Sequence, residues 1–191
     1  MRYNSGMKII LASASPRRKE LLGKITTNFS VIVSGEDEKG VKAPPESLCQ
    51  ALAKQKAGAV AKQNYDSVVI GADTIVVFND KILGKPSTTE ENIEFLKTLS
   101  GNAHYVLTGF AVYYKGELYS GVEKTKVVFR HLTDTEILDY CYNGGGLDKA
   151  GGYGIQDGDF VKEIVGDYDN VVGFPTARIE KILKKICGDK L

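Results

Sequence analysis

The segment Met7–Leu22 constrains the fold most, because it combines a short strand, a small-residue turn and the start of a helix. Ser15 is a favourable N-cap and Pro16 a favourable first helical residue, so the pattern predicts a helix that begins at Pro16. Arg17 and Arg18 then lie in the first turn, against the positive end of the helix dipole. The two guanidinium groups either point to water or share an anion, such as a phosphate, with the helix N-terminus.

Strands and helices alternate along the rest of the chain, which predicts an α/β fold on a mixed sheet. The predicted strands lie near residues 29–33, 67–78 (one strand or two), 105–114, 118–122 and 125–130, with a short strand at 81–83 after a hairpin turn at Asn79 and Asp80. The predicted helices cover residues 45–64 and 88–101, a short piece from residue 133, and residues 175–187. The glycine-rich stretch 143–159 is predicted to be the longest irregular segment. A chain of 191 residues suffices for one core, in one or two lobes, and is too short for two independent domains.

Composition narrows the classes of function. With 25 basic and 24 acidic residues, the net charge is +1, so we expect neither a stable nucleic-acid complex nor attachment to a membrane surface. The three cysteines, Cys49, Cys141 and Cys187, are far apart and indicate a reducing compartment. No signal peptide or membrane-spanning run is apparent, and we therefore expect a cytoplasmic protein. Residues 1–6 precede a second methionine and are expected to be a disordered extension or an artefact of the assigned start site.

Lys56 and Asp73 are charged residues at positions where the pattern calls for apolar ones. Lys56 lies within the apolar stripe of the helix that begins near Pro45, so its amine either reaches water along its stem or meets an anion at the edge of the core. Asp73 interrupts the apolar run 68–78, where a carboxylate needs a partner. It either bonds backbone amides at a strand end or turn, or acts as a metal ligand or general base at the end of a buried strand.

Two further segments are candidates for ligand contact. Lys85 lies on a stiff Gly-Lys-Pro turn, and the glycine-rich stretch either closes over a ligand with the amide of Gln156 or is a surface connection. The sequence contains no GxxxxGK[ST] or GxGxxG phosphate motif and no Asp-x-Asp pair at Asp73. The two histidines, His104 and His131, have no partner spacing and are expected to be structural or exposed.

Six motifs occur in a fixed order between Met7 and about Ile186: LASASPRRKELL, GADTIVV, GKP, LSGNAH, DKAGGYGIQ and GDYDNVVGFP. Together they resemble the Maf family of nucleoside triphosphate pyrophosphatases. The resemblance implies a house-cleaning enzyme that cleaves nucleotides between the α and β phosphates, with a divalent metal, Mg²⁺ or Mn²⁺. It also implies one catalytic domain over residues 7–191, often a homodimer, and an elongated α/β fold with two lobes around a cleft, shared with the inosine triphosphate pyrophosphatases.

The resemblance also implies roles for individual residues. Asp73 matches the catalytic acid or base and is a candidate metal ligand, and Asp37 or Glu38 matches an acidic residue near the metal. The candidate substrate-binding residues, which match positions tied to the phosphates or to substrate choice or lie beside them, are Ser13, Arg17, Arg18, Lys56, Thr74, Lys85 and Gln156.

Gln156 bears most directly on the choice of substrate. The branch of the family with glutamine here is similar to the dTTP/UTP pyrophosphatases, whereas the 7-methyl-GTP branch carries an acidic residue. An amide can accept from N3–H of uracil or thymine and donate to O4, which a carboxylate cannot do. The loop GIQDGDF is shorter than the family's usual spacing and Gly152 replaces a common alanine, so we expect a lid of altered flexibility or shape.

The mechanism that we expect uses Arg17, Lys56 and Lys85 to hold the triphosphate. Asp73 orients or deprotonates a water for in-line attack on the α phosphorus, or acts chiefly as a metal ligand. Two rival functions remain open. One is a regulatory nucleotide-binding protein linked to inhibition of septum formation, and the other is a phosphomonoesterase or a nucleotide-binding module. Turnover, and the release of pyrophosphate rather than orthophosphate, distinguishes them.

Overall fold

The computed structural model describes residues 7–33, 35 and 43–188. The predictions for residues 1–6, Asp37 and Glu38 lie outside these residues. The strands are β1 (Ile9–Leu11), β2 (Phe29–Val31), β3 (Val68–Phe78), β4 (Lys81–Leu83), β5 (Ala103–Tyr114), β6 (Glu117–Phe129) and β7 (Val161–Val165). The helices are α1 (Pro16–Gly23), α2 (Pro45–Ala61), α3 (Thr89–Leu99), α4 (Asp134–Tyr142), α5 (Tyr168–Val172) and α6 (Thr176–Cys187), and a short 3-10 turn covers Ala150–Gly152.

The described strands form one mixed sheet, which confirms the predicted α/β class. Its order is β2-β1-β3-β5-β6-β7, and β4 pairs with β3 off this path. β1 is parallel to both β2 and β3, whereas β4 is antiparallel to β3 and β7 is antiparallel to β6. Both tight hairpin turns place two residues at positive φ, Asn79 and Asp80 after β3, and Lys115 and Gly116 after β5. This backbone matches the right-handed twist of the strands that the turns join.

The structure corrects the predicted elements at several points. The separate strands expected at 118–122 and 125–130 are one continuous strand, β6. Glu123 and Lys124, which lie between them, occupy a half-buried and an exposed position and do not interrupt the strand. Of the two alternatives for residues 67–78, the single strand is confirmed, whereas the helix expected to reach residue 64 ends at Ala61. β7 and α5 were not predicted. The residues of β7, VKEIV, do not alternate between apolar and polar, and the five residues of α5 are too few for a helical period.

The chain forms two compact units, each with its own apolar core. Unit 1 comprises the described parts of residues 1–73, 109–122 and 173–191, and unit 2 comprises residues 74–108 and 123–172. Part of the core of unit 1 is formed by small and β-branched residues of β1 and the position after it, and of α2, β3 and β5: Ile10, Ala12, Ala53, Ala57, Val60, Val69 and Ala111. The core of unit 2 contains larger side chains from α3, β5, β6 and α4, among them Leu96, Leu99, Val106, Phe129 and Ile137. Within the described residues, no helix has the length and apolarity needed to cross a membrane.

His104 lies in the core of unit 2, which agrees with the expectation that it is a structural residue. Its side chain is 1% exposed, and its Nε2 is 2.7 Å from the hydroxyl of Tyr153. The imidazole also packs edge-on against Phe129, with ring centroids 4.9 Å apart. Burial lowers the pKa of His104 from 6.5 to about 4, because the charged imidazolium would lose its hydration. His104 is therefore neutral in the folded protein near neutral pH.

We expect this histidine to make the protein less stable in mild acid. The unfolded chain takes up the proton near pH 6.5 and the folded chain only near pH 4, so the stabilisation is complete above pH 6.5 and declines as the pH falls. The free energy of unfolding should drop by about 2 kcal/mol between pH 6.5 and pH 5, at about 1.4 kcal/mol per pH unit. Urea unfolding at pH 7, 6.5, 6, 5.5 and 5 measures this slope.

A double variant and a matched control assign the slope to His104. His104→Leu with Tyr153→Phe removes both polar partners together and should flatten the profile. His131→Gln changes the exposed histidine and should leave the slope as it is. A double variant that keeps the full wild-type slope would show that another group is responsible.

Candidate active site

Helix α2 lies directly against the strands of unit 1 at two glycines. A Cβ at Gly71 of β3 would be 2.8 Å from the carbonyl oxygen of Ala53, and a Cβ at Gly109 of β5 would be 2.3 Å from the carbonyl group of Cys49. Any side chain at these positions would overlap the helix backbone, since real Cβ contacts are not this short. The two glycines therefore set how closely α2 approaches the sheet, and with it the position of Lys56.

Lys56 and Asp73 form an ion pair at this contact. The Nζ atom of Lys56 lies 2.6 Å from Oδ1 of Asp73, and the two side chains are 15% and 11% exposed. Asp73 follows Gly71 by two residues and so lies on the same face of β3, the face that α2 covers. Among the described residues, Oδ2 of Asp73 has no hydrogen-bond partner. The pair thus presents an ammonium group and an open carboxylate oxygen at the edge of a core.

The position of Asp73 differs from both sequence expectations, which placed it at a strand end or turn. It is the sixth of the eleven residues of β3, because the second half of the strand continues by pairing with β4. Its described side-chain bond is to Lys56 and not to backbone amides. For Lys56, the anion at the edge of the core is this carboxylate, so the two anomalies of the sequence have a common explanation.

Cys49 lies near the ion pair but does not provide a nucleophile. Its thiol is fully buried and donates to the carbonyl of Glu46 at 3.3 Å. Burial, and then the negative charge of Asp73, raises the pKa of Cys49 to about 11. The thiol is therefore protonated at neutral pH, and the thiolate that nucleophilic chemistry requires is scarce.

Arg17 and Arg18 lie in the first turn of α1, as the sequence predicted, but the described contacts of Arg18 are to the protein itself and match neither the water nor the anion that the sequence suggested. Ser15 caps the helix by accepting from the backbone N–H of Arg18 at 3.4 Å. The guanidinium of Arg18 donates from Nε to the carbonyl of Gly173 at 2.9 Å and from Nη1 to Ser13 Oγ at 3.3 Å. Ser13 is 8% exposed and Arg17 is half-buried. Arg18 thus supports the turn itself, and its role toward a substrate remains a prediction.

Thr74 is the first residue of unit 2 and is anchored by a buried chain of hydrogen bonds. Its Oγ1 is 3.0 Å from Oγ1 of Thr108, and Thr108 donates its hydroxyl proton to the carbonyl of Asn170 at 3.0 Å. Since a hydroxyl has one proton, the bond between the two threonines must use the proton of Thr74. The oxygen of Thr74 can therefore act toward a ligand only as an acceptor.

The other predicted residues of unit 2 lie on connections. Lys85 is exposed on the turn after β4, and Gln156 is exposed in the glycine-rich segment. These two connections are joined, because the N–H of Gly151 donates to the carbonyl of Gly84 at 2.9 Å. No sequence pattern singled out Tyr140 or Asp157, which contact each other beside Gln156. The signal that could have found Tyr140 is an aromatic residue at the end of a helix that leads into the glycine-rich segment.

The described residues contain no group of three or more His, Cys, Asp or Glu side chains that could hold a metal ion. Of the three residues predicted to bind a metal ion, Asp73 is the one that the structure describes. Its open Oδ2 is the kind of ligand that Mg²⁺ and Mn²⁺ prefer. Magnesium is usually bound by one or two carboxylates together with substrate phosphates, not by a complete protein cage. The donor chemistry of Asp73 therefore fits such an ion.

Comparison with known proteins places the chain in a family. A model of the Maf-like protein family matches residues 8–186. This chain belongs to the Maf-like family. A relative from a Geobacillus species, named dTTP/UTP pyrophosphatase, is 50% identical over 182 residues, which cover 94% of this chain and 98% of the relative. A protein of the same name from Deinococcus radiodurans is 46% identical over 179 residues, which cover 93% and 92%.

The fold of this Maf-like protein also has a counterpart among solved structures. A HAM1 protein from Coxiella burnetii matches with a TM-score of 0.52 and 14% identity, over 94% of this chain and 99% of the other. At this level of identity the likeness concerns the fold alone. It agrees with the mixed α/β sheet and flanking helices described above.

Proposed function

We propose that this Maf-like protein hydrolyses dTTP and UTP to the nucleoside monophosphate and pyrophosphate. The observation that carries the proposal is the Lys56–Asp73 pair, a cation and an open carboxylate oxygen held 2.6 Å apart at the edge of the core of unit 1. Relatives that are 46–50% identical to this chain over nearly their whole length are named dTTP/UTP pyrophosphatase. The pair supplies the two charges that this hydrolysis needs, one for the phosphates and one for the water.

In the proposed reaction, Oδ2 of Asp73 accepts a proton from a water molecule as the water oxygen attacks the α phosphorus. The bond between the α phosphorus and the bridging oxygen breaks, and pyrophosphate leaves with the electron pair of that bond. Lys56, through its contact with Oδ1, holds the carboxylate in one orientation while its positive charge faces the phosphates. Most of the acceleration then comes from positioning and charge neutralisation, as is usual for phosphoryl transfer.

The remaining residues are proposed to bind the substrate. Arg17 and Lys85 would hold phosphate oxygens, and Arg18 would act mainly through Ser13, whose hydroxyl it positions. The acceptor oxygen of Thr74 would face a hydroxyl or N–H group of the nucleotide. Gln156 would bind the pyrimidine ring.

The proposal includes a divalent cation, Mg²⁺ or Mn²⁺. Asp73 would hold it, with Asp37 or Glu38 as the further candidate ligands. When bound, such an ion neutralises negative charge on the phosphate oxygens and helps to orient them. The pairing of Asp73 with Lys56 leaves one carboxylate oxygen open. That oxygen serves either as the base for the water or as a ligand of the ion, so the two roles of Asp73 are alternatives.

Turnover of a nucleotide panel tests the proposed function. The protein is incubated with Mg²⁺ or Mn²⁺ and with dTTP, UTP, CTP, GTP, ATP and 7-methyl-GTP, and pyrophosphate and orthophosphate are measured separately. Pyrophosphate released mainly from dTTP and UTP is the expected result. Release mainly from a guanine nucleotide would reject the base assignment, and release of orthophosphate or of no product would reject the reaction.

We expect Gln156→Glu to weaken pyrimidine substrates selectively. The carboxylate cannot donate to O4 of uracil or thymine, so one bond of the amide pair is lost. kcat/KM for dTTP and UTP should fall by about 10- to 100-fold, as when a polar group of a substrate loses its partner. Gln63→Glu makes the same change at an exposed position and should have no effect. An equal fall in kcat/KM for every nucleotide would argue that Gln156 does not recognise the base.

A further inference from the structure

Gln156 lies at the centre of a tight turn in unit 2. The N–H of Asp157 donates to the carbonyl of Gly154 at 3.0 Å, which closes a four-residue turn with Ile155 and Gln156 at its centre. The carboxylate of Asp157 folds back over the start of the turn, since its Oδ2 would be 2.3 Å from a Cβ at Gly154. The direction of the Gln156 side chain therefore depends on what holds this turn.

One hydroxyl, that of Tyr140 in α4, bonds both ends of the turn. It accepts from the N–H of Gly154 at 3.1 Å and lies 3.0 Å from Oδ2 of Asp157. An ionised carboxylate only accepts and an amide N–H only donates, so the phenol proton must go to Asp157. Burial raises the pKa of Tyr140 above its usual value, so the phenol keeps the proton that this bond requires. Lys149 supports the same carboxylate from Nζ at 3.0 Å.

The ring of Tyr140 is held by packing that does not involve its hydroxyl. It packs edge-on against Phe160 with ring centroids 4.9 Å apart, and it leaves no space for a side chain at Gly145, where a Cβ would be 2.5 Å from a ring carbon. A phenylalanine at position 140 would keep these contacts and would lose only the two hydrogen bonds. The hydroxyl can thus be tested apart from the ring.

We propose that Tyr140 is a positioning residue for Gln156, and that its hydroxyl sets the preference for a uracil or thymine base. Tyr140 acts through the turn and does not contact the substrate itself. This inference rests on the proposed function, because it concerns how that function selects its base. The positioning role predicts an effect on KM and not on kcat, since the base contact is the same in the bound substrate and in the transition state.

The test compares Tyr140→Phe with Tyr142→Phe, which removes a hydroxyl from the same helix at a side chain that is 68% exposed. For Tyr140→Phe, KM for dTTP and UTP should rise by about tenfold, as when one hydrogen-bonding pair is misplaced. KM for CTP, GTP and ATP and all kcat values should stay within about twofold of wild type. Tyr142→Phe should match the wild type throughout.

Two variants of Asp157 make the test independent of how Tyr140→Phe folds. Asp157→Ala removes the acceptor from the turn and should reproduce the selective rise in KM. Asp157→Asn retains an acceptor oxygen for the Tyr140 hydroxyl and should recover most of the selectivity. If the contact served only stability, melting temperatures would fall in the alanine and phenylalanine variants while the KM ratio between dTTP and CTP stayed at its wild-type value, which would overturn the inference.

The same measurements separate this inference from the proposed function. If wild type releases pyrophosphate preferentially from dTTP and UTP, and Tyr140→Phe keeps the full preference, the positioning role alone is rejected. If wild type shows no such preference, the base assignment to Gln156 is rejected together with the role of Tyr140. A selective rise in KM with unchanged kcat supports both.

Discussion

Replacement of Asp73 by asparagine is expected to lower pyrophosphate release from dTTP on the order of a thousandfold, with the fold intact. Asparagine has the shape of aspartate, and its amide oxygen can still accept from Lys56, so the packing of α2 against β3 should persist. The variant loses the basic oxygen that takes the proton of the attacking water and the charge that attracts a metal ion. Initial rates at saturating dTTP and Mg²⁺ measure the effect on kcat.

A matched control separates this loss from damage to the protein. Asp66→Asn makes the same substitution at an exposed position in unit 1 and should leave the rate unchanged. Both variants should melt within a few degrees of wild type. If the Asp73→Asn protein retains the wild-type rate, Asp73 takes no part in the chemistry, whatever the effect of the substitution on stability.

Replacement of Gly109 by alanine is expected to cause the largest loss of stability among single-methyl additions in unit 1. The new Cβ would lie 2.3 Å from the carbonyl carbon and oxygen of Cys49, and these are backbone atoms of α2 that cannot move aside alone. Overpacking of this kind costs about 3 kcal/mol, which in a chain of this size lowers the melting temperature by about 10 °C. Because α2 also carries Lys56, activity should fall as the helix shifts from the sheet.

Gly23→Ala is the control for this second prediction. Gly23 ends α1, and a Cβ there would have no atom within 4 Å, so alanine should leave stability unchanged or raise it slightly through its better helix propensity. Urea unfolding monitored by circular dichroism gives the free energy of each variant. A Gly109→Ala protein as stable as wild type would mean that α2 does not lie this close to β5.

Local signals predicted much of the fold. Ser15 and Pro16 begin α1, Thr88 caps α3 through Glu91, and Thr133 forms a capping box with Glu136 at the start of α4. These bonds join residues three apart, so the sequence contains all the information that they need. The continuous β6 could not be predicted in the same way, because pairing with neighbouring strands overrides the weak break at its polar residues.

The candidate site was predictable in its parts but not in its arrangement. Lys56 and Asp73 are each charged residues within an apolar pattern, and for that reason the sequence identified them as candidate site residues. Their contact joins residues seventeen positions apart on a helix and a strand, so it depends on the close approach at Gly71 and Gly109. The bonds of Tyr140 to the Gln156 turn likewise depend on how α4 packs, and no local pattern indicates them.

Hydrolysis of dTTP in water enriched in ¹⁸O tests whether water attacks the α phosphorus. Attack on the α phosphorus places the oxygen of water in the monophosphate, so mass spectrometry should find one ¹⁸O in dTMP and none in pyrophosphate after a single turnover. The same result is expected for UTP, and no labelled product should form with Asp73→Asn in the same time. Label in pyrophosphate or in orthophosphate would mean attack at another phosphorus and would contradict the account.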